Sequence, residues 1–82
     1  KNYKVILLND DYTPMEFVVD VLMRFFNKNE FEAGVITVDI HENGSGLAGV
    51  FNFDIAETKT YHVIEYARDN EFPLIAEIKE LD

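Results

Sequence analysis

An apolar run, Tyr3 to Leu8 (YKVILL), stops abruptly at Asn9-Asp10-Asp11, which predicts a short buried strand that ends in a polar turn. Thr13-Pro14-Met15-Glu16 follows with a capping hydroxyl, Pro at the first helical position and Glu at the third, a capping box. Val18, Val21, Leu22 and Phe25 then recur at helical spacing to about Phe26, where Asn27-Lys28-Asn29 breaks the pattern.

The next segment reads two ways. Ile36, Val38 and Ile40 alternate with Thr37, Asp39 and His41, the period of a strand in a β-branched stretch. Asn29 with Glu32 instead makes a helix-capping signature, and Asn43-Gly44 suits a left-handed helix end. Pattern alone favours the strand, with Asn43-Gly44 as its hairpin turn. Leu47 to Phe53 (LAGVFNF) predicts a further strand, in which Gly49 marks a bulge or a close backbone approach. Asp54 and Glu57 form another capping pair. They open a helix with Ala56, Thr60, Val63, Ile64 and Ala67 on one stripe, closed by Pro73. Leu74 to Ile78 ends the chain as a strand, with Leu74, Ala76 and Ile78 facing one way.

Composition narrows the function classes. Eighty-two residues make one domain, and at 48% hydrophobic with seven Phe and four Tyr they can build a core. With no Cys there is no disulfide framework, thiolate zinc site or cysteine nucleophile, and a reducing compartment is expected. No apolar run reaches the roughly 20 residues of a membrane helix, so a membrane role is not expected. A net charge of −9, with only seven scattered Lys and Arg, argues against nucleic acid and suits a cationic ligand.

The run Asn9-Asp10-Asp11-Tyr12-Thr13-Pro14-Met15-Glu16-Phe17-Val18 resembles the opening signature of the ClpS adaptors. These proteins bind a destabilising N-terminal residue on a substrate and pass it to an AAA+ Clp unfoldase. A second block, Gly49-Val50-Phe51 through Ala56-Glu57-Thr58-Lys59 to Tyr66-Ala67-Arg68 and Pro73-Leu74, is similar to the family's second half. His41 and Gly44 fall between the blocks at the family's spacing, so the resemblance spans essentially the whole chain.

That resemblance implies an α+β fold, a β-α-α-β-α-β sandwich with an antiparallel three-stranded sheet packed on three helices. It makes residues 1–82 a single ClpS-like adaptor core domain without the family's N-terminal extension, so that degrons are bound but delivered poorly. It also overrules the strand for about Asn29 to Glu42 in favour of a second helix. A helix places Thr37, Ile40 and His41 on one face, whereas a strand turns Ile40 away from the other two.

Residue by residue, the resemblance implies that Asn9, Asp10 and His41 hold the substrate's α-amino group. Leu8, Thr13, Met15, Val18, Thr37, Ile40 and Leu74 line the side-chain pocket, and Asp54, Glu57, Thr58 and Lys59 meet the N-terminal domain of a ClpA-type unfoldase. Asp54 and Glu57 also have a capping explanation; Lys59 has none and makes the sharper test. The implied partners are N-degron peptides and proteins, bound by a monomer in the bacterial cytoplasm or a plastid, with no cofactor and no metal. Where relatives commonly carry a bulky Met, this chain has Thr37, which should leave room for Ile or Val at the substrate's N-terminus. Two other readings compete with this one. A hydrolase or metal site on Asp10, Asp11 and His41 lacks a nucleophile motif and a full ligand set. A scaffold module related only by fold would bind the unfoldase without reading N-termini.

Overall fold

The computed structural model describes residues 1–81. The chain runs β1 (Tyr3–Leu8), α1 (Met15–Phe25), α2 (Glu30–Asn43), β2 (Ser45–Phe51), α3 (Phe53–Asp69) and β3 (Ile75–Glu80). Strand β1 is central, with β2 and β3 antiparallel on either side. The expected β-α-α-β-α-β order and three-stranded antiparallel sheet are what the chain adopts.

Alternation along β1 sends Val5 and Leu7, both fully buried, into the helix-covered face. There they join Val21 and Leu22 of α1, Ala33 and Ile40 of α2, Ala56, Val63 and Ala67 of α3, and Leu74 in one core. Between Val5 and Ile6 the register to β2 slips, so that Val5 faces Gly49 while Ile6 faces Leu47. Ala48 is the extra residue of this bulge, next to the glycine expected to mark it. The same Gly49 is also a close approach, because a Cβ there would stand 2.6 Å from the Phe51 ring.

The 30–43 segment is a helix, and the strand that its alternation favours does not form. Three local features outweigh the β-branched composition. Asn29 and Glu32 make a reciprocal capping box, each side chain accepting from the other's backbone N–H at 2.8 and 3.0 Å. Gly44 closes the helix at φ 90°, a conformation open to glycine, and its N–H donates to the Ile40 carbonyl. The helix also buries Ala33, Thr37 and Ile40 at spacings of four and three, while Val38 points outward. Asp39 has a local role too: its carboxylate accepts from the Asn43 side-chain amide and ties the last turn together.

Two predicted caps are corrected. At α1 the residue before the helix is Pro14, which makes no side-chain cap, and the Thr13 hydroxyl is engaged elsewhere. At α3 the helix opens two residues before Asp54 would cap it. Asn52 is the cap, its side chain accepting from the Ile55 N–H at 3.0 Å, and Phe53 is helical rather than the end of β2. Helices α1 and α3 are locked by Tyr66, which stacks on Phe17 at 5.2 Å and donates its hydroxyl to Asp20 at 2.6 Å.

Candidate functional site

The end of β1 and the end of α2 are joined by one main-chain bond. The Asn9 N–H donates to the carbonyl of Gly44 at 2.9 Å, which brings the first residue after β1 beside the last turn of α2. Asn9 and His41, distant in sequence, thereby share the mouth of a pocket of about 350 Å³.

The loop that forms the other side of this mouth is organised by Asp10. Its Oδ1 accepts from the backbone N–H groups of Tyr12 and Thr13 at 2.8 and 2.7 Å, and its Oδ2 accepts from the Thr13 hydroxyl at 2.7 Å. This is the Asx-type turn that a short acidic side chain makes readily. Two carboxylate oxygens offer about four acceptor sites, so one lone pair on Oδ2 is left for a ligand. Burial pushes the Asp10 carboxyl up, but the Thr13 hydroxyl and amide, the Tyr12 amide and the charge of Arg68 together hold it below the ordinary aspartate value.

A depressed folded value means that Asp10 stabilises the loop fully above the ordinary carboxylate range. That contribution is lost as the pH falls through the folded value, which lies below the ordinary aspartate value. Amide signals of Tyr12 and Thr13, followed by NMR during acidification, should keep their native shifts to a pH below the usual aspartate midpoint and then collapse together. Asp10→Ala should show the collapsed shifts at every pH. A wild-type midpoint at or above the ordinary value would contradict the assignment.

Behind the mouth the wall is apolar. Met15 and Val18 from α1 face Thr37 and Ile40 from α2, with Thr13 at the junction. The lining carries Asp10 and Asp11 and no Lys or Arg, so the mouth favours a cation. Wall and helix are pressed together by Gly46 of β2, where a Cβ would come within 2.6 Å of Ile40.

The pocket therefore gathers Asn9, Asp10, His41, Thr13, Met15, Val18, Thr37 and Ile40, as expected, and adds Asp11, Tyr12 and Pro14. These three lie inside the ten-residue run quoted above. Tyr12, 78% exposed, had no pattern signal because a lone solvent-facing aromatic has no periodicity to betray it. Leu8 and Leu74 are not among the lining residues. Leu8 has the opposite parity to Val5 and Leu7 and so lies on the sheet face away from the helices. Leu74, only 1% exposed, belongs to the core.

Known proteins agree with this architecture. The family model described as ATP-dependent Clp protease adaptor protein ClpS matches residues 1–77. The chain belongs to the ClpS family. It is 56% identical over 78 residues to the ClpS adapter of Shewanella loihica, covering 95% of this chain and 76% of that one. With the adapter of Bdellovibrio bacteriovorus it shares 55% over 80 residues, or 98% of this chain and 70% of the other. Among solved structures it resembles Agrobacterium tumefaciens ClpS2 bound to L-phenylalaninamide, with a TM-score of 0.93, 40% identity and coverage of 96% and 95% of the two chains. This ClpS is an adaptor of the Clp protease and not an enzyme.

The surface that ClpS resemblance assigns to the unfoldase is on α3. Asp54, Glu57 and Thr58 are exposed there and take part in no side-chain hydrogen bond among the described residues. Lys59 differs from expectation. Its ammonium donates to the Phe25 carbonyl at the end of α1, at 2.6 Å, and sits 5.8 and 5.3 Å from the rings of Phe26 and Phe51. It satisfies a terminal helix carbonyl and favours the negative end of the α1 dipole, so it has a structural task.

Proposed function

We propose that this ClpS captures proteins with a large apolar residue at a free N-terminus and delivers them in the cytoplasm to a ClpA- or ClpC-type unfoldase. The observation that carries the reading is one pocket with acceptors at its mouth and an apolar wall behind them. An N-terminal residue presents an ammonium with three donors and, one bond away, a side chain. Asn9, the free lone pair of Asp10 and a His41 ring nitrogen would take the ammonium; Met15, Val18, Thr37 and Ile40 would take the side chain. L-Phenylalaninamide, held by the Agrobacterium relative, has this chemistry: a free α-amine, a benzyl group and an amide in place of the next peptide bond.

Burying a Phe-sized side chain contributes about 1.5 to 3 kcal/mol and each hydrogen bond to a charged group a similar amount. After ordering losses an affinity of about micromolar order follows, suited to a substrate that must be released. Because Thr37 is short, β-branched Ile and Val should enter as well as Phe, Leu, Tyr and Trp. Peptides that differ only in these first residues, compared by fluorescence anisotropy, test the reading. Binding of none of them would overturn it, and rejection of Ile and Val alone would overturn the broadened specificity.

A further inference from the structure

Among the described residues Thr37 is the one buried polar side chain, 4% exposed, and its hydroxyl has no hydrogen-bond partner. A buried hydroxyl without a partner is costly, and a threonine on a helix usually escapes that cost by bonding the carbonyl three or four residues back. Here no such bond forms, neither to Ala33 nor to Gly34. Thr37 lines the pocket, so a ligand can supply what the fold does not. The hydroxyl has almost no accessible surface in this rotamer, so a ligand would reach it by a χ1 rotation that exchanges hydroxyl and methyl.

The depth is appropriate. Thr37 lies four residues before His41 on the same face of α2, roughly 6 Å along the axis at 1.5 Å per residue. If His41, which is exposed, holds the α-amine, the buried Thr37 lies deeper along the bound side chain. The rest of the inner wall, Met15, Val18 and Ile40, has nothing to offer a polar tip.

We propose that Thr37 is a specificity-determining residue that hydrogen-bonds the phenol of an N-terminal tyrosine, so that this adaptor prefers Tyr to its hydrocarbon counterparts. The inference rests on the reading of the pocket as an N-terminal-residue site. A site built to bond a ligand hydroxyl discriminates against the analogue without it, because the protein's own group is then left unpaired. The second orphaned hydroxyl, on Thr60 of α3, is outside the pocket and supplies a control.

Affinities of peptides that begin with Tyr, Phe or 4-methylphenylalanine and are otherwise identical would be measured by calorimetry for the wild type, Thr37→Val, Thr37→Ser and Thr60→Val. The wild type should bind the Tyr peptide about five- to tenfold more tightly than the 4-methylphenylalanine peptide, whose tip has the same size without the oxygen. Thr37→Val should abolish that ratio, Thr37→Ser should keep it, and Thr60→Val should leave it alone. The wild-type comparison needs no variant to fold. Equal wild-type affinities for the two peptides, or a ratio that survives Thr37→Val, would overturn the role of Thr37 while leaving N-terminal recognition intact. Failure of the wild type to bind any of the three would overturn the pocket reading and this inference with it.

Discussion

Acetylation of the α-amine of a Phe-start peptide should lower its affinity for this ClpS by about a hundredfold or more, the largest effect expected of any single chemical change. The mouth of the pocket is built from acceptors, and its lining has carboxylates and no basic residue. An ammonium meets that arrangement with three donors and a positive charge; an acetylated nitrogen brings one donor and none. Loss of two bonds to a charged group costs about 3 to 6 kcal/mol, against about 1.4 kcal/mol for each tenfold change. The apolar wall still welcomes the side chain, which alone gives too little to hold a peptide. Calorimetry with the free and acetylated forms of one peptide measures the difference directly. Affinities within threefold of each other would show that the side chain is read and the amine is not.

Lys59→Glu should destabilise the fold by about 2 to 4 kcal/mol in urea unfolding. The ammonium that reaches from α3 to the Phe25 carbonyl would be replaced by a carboxylate at the negative end of α1, beside two aromatic rings. Lys59→Met keeps the apolar stem and should lose less, about half as much. A Lys59 variant that binds an unfoldase poorly therefore reports a loosened fold as readily as a lost contact. Asp54→Lys with Glu57→Lys is the cleaner test of the docking surface, because neither side chain holds the fold through a hydrogen bond. That double variant should lose only about 1 kcal/mol of stability, from placing lysines near the positive N-terminal end of α3, and should bind an isolated unfoldase N-terminal domain at least about tenfold more weakly. If Lys59→Glu unfolds with the wild type, the bond to Phe25 carries no stability.

The sequence showed most clearly what depends on near neighbours. β1, α1 and the stripe of α3 follow from hydrophobic spacing, and the ten-residue run from Asn9 to Val18 contains nearly all of one side of the pocket. What it concealed depends on partners far along the chain. The alternation of residues 36–41 is a true strand pattern, defeated by a capping box at one end, a left-handed glycine at the other and a buried stripe between them. Thr13 reads as a cap for α1 only until Asp10 claims its hydroxyl. Lys59 looks idle because the carbonyl that it serves is 34 positions away. Leu8 and Leu74 fit the pocket by residue type, but neither is among the residues that line the cavity: strand parity turns the first to the other sheet face, and the second is packed in the core.

Gly46 is not among the residues that line the cavity, yet it lies against Ile40, with space for a hydrogen and none for a methyl. A selection experiment that scans only the residues facing the ligand would miss it. Growth of the side chain at this point would press on Ile40, a residue of the cavity wall, without changing which residues line the cavity. The calibre of the pocket is thus adjustable from the rear, by a residue of the sheet, independently of the chemistry displayed at its entrance.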